Sequence, residues 1–170
     1  MVKIQRGRIP TLTSKRTLCA SFVSLFLAVV SGLPIYTLRI KEATEGRELA
    51  AIHVNPGELI EVEYVHSMYH VKQREVFSIG SDSRFYLEKV TFGSYAAALY
   101  YDAEPSQGLA FEGGFWMVKG AGTNYSVLKF RVSPSTGHVL HIGNQSLDLS
   151  YSSQKEGRLI EIWLEKDRRN

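Results

Sequence analysis

The stretch that decides the fold is LIEVEYV, residues 59–65, in which apolar residues alternate with glutamates directly after Pro56-Gly57-Glu58. Alternation with a period of two is typical of a β-strand with one buried and one solvent-exposed face. The preceding Pro-Gly pair is typical of the turn that opens such a strand. We therefore interpret residues 59–65 as one strand of a sheet that covers a hydrophobic core.

Similar short runs occur on both sides of this strand and are separated by Gly, Pro, Asn and Asp. Many short strands with no convincing amphipathic helix predict an all-β fold, a single sandwich or barrel-like domain. Residues 93–112 are the least regular stretch, and we expect a long connection or a short helix there. The other predicted strands are 35–42, 48–54, 73–79, 84–92, 115–119, 126–132, 138–142, 145–151 and 158–165.

The N-terminal part of the chain is of a different kind. Residues 17–38 contain no charged residue and are long enough to cross a bilayer as a helix of about 20 residues. We predict a basic cytoplasmic tail (1–16), a transmembrane signal anchor (17–38), an extracytoplasmic β domain (39–165) and a short tail (166–170). Tyr36 would lie at the outer membrane interface. The basic residues before the span predict a single-pass protein of the cytoplasmic membrane, with its N-terminus inside and the β domain outside.

Two other interpretations of residues 17–38 stay open. A cleaved signal peptide is one, because the small residues of Val30-Ser31-Gly32 follow the apolar core. A buried core helix is the other, although every face of the segment is apolar or small. The first alternative also places the β domain outside the cytoplasm.

Charge argues against nucleic acid as a partner. Residues 1–38 carry five Lys or Arg and no acidic residue, whereas residues 39–170 carry 15 basic and all 17 acidic residues, a net charge of −2. A nucleic-acid-binding face needs positive charge on the folded body. The single cysteine, Cys19, lies in the apolar segment, so the chain has no internal disulfide and no thiolate metal cluster.

The densest polar cluster is Tyr64 to His70, followed by Glu75. A functional hypothesis places His66 opposite Glu75 with the Ser67 hydroxyl beside them. In it Ser67 is a nucleophile, His66 its general base and Glu75 the carboxylate that orients the base. A structural hypothesis has Glu75 hold His66 across a hairpin while Ser67 bonds its own turn. Neighbouring strand residues point to opposite faces, which favours the structural hypothesis.

No cofactor and no metal site is predicted. His138 and His141 are three residues apart, so on a strand their side chains point to opposite faces. The glycine-containing stretches lack the residues of a phosphate-binding or dinucleotide-binding loop and are typical of hairpin turns.

These motifs together resemble the DUF (domain of unknown function) 1850 family of bacteria and archaea, over residues 35–151. The family has a short N-terminal span, a strand ending in Tyr-x-His-Ser with Glu nine residues after the His, the motif Phe-x-Ser-x-Gly-Ala-Gly, and a final His-x-Leu. The matching residues here are Tyr64, His66, Ser67, Glu75, Phe92, Ser94, Ala97, His138 and Leu140.

The chain departs from this pattern in two places. Val71-Lys72-Gln73 stands where the family often has Thr-Pro-Val, and Ala96 and Ala98 replace the two glycines. A role that needs positive φ at those two positions is therefore in doubt.

The resemblance implies a partner but no activity. Genes of the family commonly lie beside tripartite ATP-independent periplasmic (TRAP) transporters, especially those with TAXI-type binding proteins. The leading hypothesis is therefore a non-enzymatic accessory that docks on a TRAP-type permease or its solute-binding protein. The alternative is a sensor domain that binds a small ligand or ion through His66, Ser67 and Glu75. A hydrolase using Ser67 is the third hypothesis.

Overall fold

The alternating stretch 59–65 forms one strand in the middle of a large antiparallel sheet. The computed structural model describes residues 35–101, 108–120, 122–150 and 157–167. Within these ranges the chain forms twelve strands and one short helix, α1 (Tyr95–Tyr101). The strands are β1 (Tyr36–Glu42), β2 (Arg47–Val54), β3 (Leu59–Val65), β4 (Lys72–Ile79), β5 (Phe85–Phe92), β6 (Leu109–Glu112), β7 (Phe115–Lys119), β8 (Asn124–Tyr125), β9 (Val127–Val132), β10 (Val139–Ile142), β11 (Gln145–Asp148) and β12 (Arg158–Lys166).

The described strands form two sheets. The first, sheet A, has four strands in the order β2-β1-β12-β9. The second, sheet B, has the order β11-β10-β3-β4-β5-β7-β6, and β8 pairs with β5 beside this path. All the pairings of the described strands are antiparallel, and a short turn joins neighbouring strands such as β3 and β4.

A single hydrophobic core lies between the inner faces of the two sheets. Leu38 and Ile40 of sheet A and Ile60 and Val62 of sheet B are fully buried in the same cluster. The outward-facing residues of β3 are Glu61 and the half-buried Glu63, so the alternation in the sequence matches the two faces of the strand. The fold is therefore an all-β sandwich, which confirms the predicted fold class.

The predicted strands are present with shifts of at most one residue at their ends, except that β11 ends at Asp148, before the predicted end at 151. The irregular stretch 93–112 contains the short helix that was one of the two predictions for it. It also contains β6, which was not predicted. The two-residue β8 was not predicted either. Both strands are short and largely exposed, so they carry little of the periodicity on which prediction depends.

The boundary of the predicted membrane span needs a correction. Residues 36–38, placed at the end of the span, belong to β1, and Tyr36 lies in the core with none of its surface exposed instead of at a membrane interface. Its hydroxyl donates to the Ser81 carbonyl in the β4–β5 turn. The β domain is one compact unit from Pro34 onward.

The rest of the predicted span, residues 17–34, lies outside the described residues, as does the tail 1–16. In the part of the chain that the structure describes, no helix has the length and apolarity needed to cross a membrane. The anchor therefore stays a prediction.

Candidate functional site

A cavity of about 420 Å³ lies between the edge strand β9 of sheet A and strands β3 and β4 of sheet B. It combines an apolar wall with polar side chains, and Ser67 lies exposed at its mouth. This volume falls within the range of about 300–1,000 Å³ that is typical of small-molecule sites. The lining residues are Tyr64, Val65, Ser67, Glu75, Phe77, Tyr125, Leu128, Lys129, Phe130, Arg131, Thr136 and His138.

The register of β3 and β4 places Glu75 on the inner face of the sandwich. Val62 lies opposite Glu75, and Tyr64 opposite Gln73, so all four side chains share the face that carries the core. The Tyr64 hydroxyl donates to Glu75 Oε1 over 2.6 Å, and Gln73 Nε2 donates to the same oxygen over 3.1 Å. Glu75 Oε2 has no hydrogen-bond partner among the described residues.

His138, just before β10, packs against the ring of Tyr64. The two rings are stacked with centroids 4.6 Å apart and an interplanar angle of 11°. His138 is 4 % exposed, and its Nδ1 lies 3.0 Å from the Thr136 hydroxyl. The Thr136 hydroxyl also lies 3.1 Å from the Ser133 carbonyl oxygen, and which of Nδ1 and the hydroxyl donates in their contact depends on the tautomer of the imidazole.

Burial shifts the protonation equilibria of these groups toward their neutral forms. It raises the pKa of Glu75 above the usual glutamate range, against the opposing effect of the bonds from Tyr64 and Gln73. Burial lowers the pKa of His138 to about 4, so the imidazole is neutral at pH 7. Burial, and then the nearby Glu75 carboxylate, raises the pKa of the Tyr64 hydroxyl. Neither Tyr64 nor His138, which is neutral at pH 7, supplies a positive charge beside Glu75.

The two basic residues that line the cavity belong to its outer rim. Lys129 and Arg131 alternate with the buried Leu128 and Phe130 of β9, so they point away from the core. Lys129 Nζ is 2.8 Å from a Glu161 carboxylate oxygen, and Arg131 donates to the Gly157 carbonyl over 3.4 Å. Lys129 is therefore ion-paired on the outer face of sheet A, and Arg131 is bonded to a backbone carbonyl.

The expected pairing of His66 with Glu75 is wrong. His66 follows the end of β3, and its Nδ1 accepts from the backbone N–H groups of Met68 and Tyr69, at 3.2 and 3.4 Å. The ring thus stabilises the β3–β4 turn, in which His70 adopts a positive φ of 51°. Glu75 is bonded to Tyr64 instead, because the strand register directs it into the sandwich while His66 lies beyond the last strand pair. Ser67 and Glu75 line the cavity, but His66 does not.

The motif Phe-x-Ser-x-Gly-Ala-Gly, which Phe92, Ser94 and Ala97 match, does not contribute to the cavity lining. Phe92 is fully buried in the core at the end of β5. The Ser94 hydroxyl accepts from the Ala97 N–H over 3.2 Å, so Ser94 caps the N-terminus of α1. Ala96 and Ala98, which replace the family's glycines, lie in this helix and neither has a positive φ. Alanine is therefore compatible with the backbone at both positions.

Several cavity residues were not predicted from the sequence. Phe77, Leu128 and Phe130 have the periodicity of ordinary core positions, and Thr136 belongs to a turn. Glu75 was an indication of the site in the sequence, because it is an acidic residue at an inward-facing position between Gln73 and Phe77 on β4. An acidic residue on a core face requires a bonding partner or a ligand.

Comparison with known proteins gives one match. The sequence profile of the family described as "Domain of unknown function (DUF1850)" matches residues 60–149, a range that contains every residue lining the cavity. Among the curated proteins and among the solved structures, no significant match to the chain was found.

Proposed function

The chain belongs to the DUF1850 family, and from this premise and the geometry of the cavity we propose that its β domain binds a small molecule between the two sheets. The observation that carries the proposal is the cavity of about 420 Å³ with Glu75 and His138 among its lining residues. Each presents a polar atom, Oε2 and Nε2, without a hydrogen-bond partner among the described residues. A folded domain that keeps such groups facing a cavity provides a ligand with directional contacts.

The apolar wall favours a compact organic ligand over a bare ion. Phe77 and Phe130 are buried on opposite sheets, and Tyr125 packs edge-to-face on Phe77 with ring centroids 6.0 Å apart. Such rings contribute dispersion and apolar area to a bound molecule, while the polar groups fix its orientation.

The test is a thermal-shift screen of small metabolites on the full-length protein purified in mild detergent. Ser67→Trp places a large ring over the cavity mouth at an exposed position and should abolish any shift. Ser81→Trp is the matched control, because Ser81 is an exposed residue of the β4–β5 turn and does not line the cavity. Hits that persist unchanged in Ser67→Trp would contradict binding in the cavity.

We propose further that residues 17–34 hold this domain at the outer face of the cytoplasmic membrane, where it serves as a non-enzymatic accessory of a TRAP-type transporter. The family resemblance supports this partner. A surface of aromatic residues provides a place for protein contact: Tyr95 is 50 % exposed and Phe111 59 % exposed, and both rings pack against Trp116. Exposed aromatic side chains are enriched at protein interfaces.

Purification of the tagged protein from its native membrane in mild detergent tests this second function. We expect a permease or a solute-binding protein to co-purify, and to be lost from the Tyr95→Ser/Phe111→Ser double variant. Leu59→Ser is the control, because Leu59 is 54 % exposed on β3, outside the aromatic surface. Repeated recovery of the protein alone would contradict the accessory role but not the binding of a small molecule.

A further inference from the structure

We infer that the ligand of the cavity is a small organic cation, an amine whose ammonium group binds Glu75 and whose apolar body packs against the aromatic wall. This inference rests on the proposed function and names the chemical class of its ligand.

The first argument is the balance of donors and acceptors. Glu75 lines the cavity, and its Oε2 has no hydrogen-bond partner among the described residues, since the Tyr64 hydroxyl and Gln73 Nε2 both donate to Oε1. A ligand must therefore bring hydrogen-bond donors. An ammonium group has three donors and no acceptor, which suits this arrangement.

The second argument is charge. Glu75 lies on the inner face of β4, and it accepts hydrogen bonds from the neutral side chains of Tyr64 and Gln73. Lys129 and Arg131 are turned to the outer face of sheet A, where Lys129 bonds Glu161. A cation bound in the cavity would compensate the negative charge of the Glu75 carboxylate. The hydrogen bond between the cation and the carboxylate would then be charge-assisted.

The third argument is the aromatic character of the wall. Tyr64, Phe77, Tyr125 and Phe130 all line the cavity. The faces of aromatic rings attract cations, and a desolvated position strengthens this attraction. An anionic ligand would meet the negative faces of the rings together with the carboxylate, so the same wall disfavours it.

Isothermal titration calorimetry on the full-length protein in mild detergent tests the ligand class with three probes of similar size. They are 2-phenylethylamine, 2-phenylethanol and 3-phenylpropanoate, which carry an ammonium group, a hydroxyl and a carboxylate at neutral pH. We expect the amine to bind at least about tenfold more tightly than the alcohol, as a charge-assisted hydrogen bond implies, and the carboxylate to bind least. Glu75→Gln keeps the shape of the side chain and should remove that tenfold preference. Glu112→Gln, at an exposed position on β6, should leave it unchanged.

The outcomes separate the ligand class from the site. Binding of the alcohol or the carboxylate with equal or greater affinity than the amine, lost in Ser67→Trp, would overturn the organic cation and keep the cavity as a site. An amine preference that survives in Glu75→Gln would also overturn it. If none of the three probes binds, and the metabolite screen also gives no shift that Ser67→Trp removes, both the ligand class and the proposed site are wrong.

Discussion

Tyr64→Phe isolates the hydrogen bond that orients the Glu75 carboxylate. The substitution removes the 2.6 Å bond to Oε1 but keeps the ring, so the stacking on His138 at 4.6 Å is preserved. A bond to a charged group contributes about 1.5–3 kcal/mol, and water in the cavity replaces part of it. We therefore expect a loss of about 1–2 kcal/mol in the free energy of unfolding at pH 7. The melting temperature of a domain of this size should fall by about 3–5 °C per kcal/mol.

Urea unfolding followed by tryptophan fluorescence measures this loss, because Trp116 lies in sheet B and Trp163 in sheet A. Tyr86→Phe is the matched control: its hydroxyl bonds the Asp82 carboxylate over 2.8 Å at an exposed position, where we expect a loss below about 0.5 kcal/mol. In the Glu75→Gln background the cost of Tyr64→Phe should be smaller by about 0.5 kcal/mol or more. Equal losses in Tyr64→Phe and Tyr86→Phe, or additive effects with Glu75→Gln, would refute the reasoning.

Three further predictions concern single residues. Because burial raises the pKa of Glu75 above 4.5, the folded chain holds this proton longer than the unfolded chain, and its contribution to stability falls as pH rises from 4.5 through the folded-state pKa. The stability of Glu75→Gln relative to wild type, measured by equilibrium unfolding, should therefore rise as the pH increases above 4.5, by at most about 1.4 kcal/mol per pH unit; a constant difference would contradict this. Ser94→Ala removes the cap on Ala97 and should cost about 1 kcal/mol in urea unfolding, whereas Ser94→Asp should retain stability. Gly120→Ala places Cβ 1.7 Å from the Leu87 carbonyl oxygen, so β5 must shift; we expect a loss of about 1–3 kcal/mol, and a neutral result would show that the strand yields freely.

The sandwich could be predicted because its central strands carry one buried and one polar face. In β3, Ile60 and Val62 are buried while Glu61 and Glu63 face outward, so the sequence itself contains the period of two. β6 and β8 lack this contrast, and their positions are decided by pairing with β7 and β5. Sequence periodicity carries no information about such pairing.

The candidate site could be predicted only in part. Tyr64, Ser67, Glu75 and His138, which match the family motifs, line the cavity, but the partner of Glu75 was misassigned to His66. Spacing along the chain does not say where a strand ends, and that position decides which side chains point inward. Contributions from β9, a distant strand of the other sheet, depend on how the sheets pack and follow from no local pattern.

The position of β9 at the edge of sheet A has a consequence for exchange with solvent. In the described part of the chain this strand pairs with β12 alone, although it supplies Leu128 and Phe130 to the cavity wall. A strand held on one side opens at a lower free energy than the central strands, and it opens without disturbing β3 or β4. Local opening of β9 would therefore remove one wall of the cavity while the rest of the core stays packed. The rate at which the β9 amides exchange their hydrogens reports how often this wall opens.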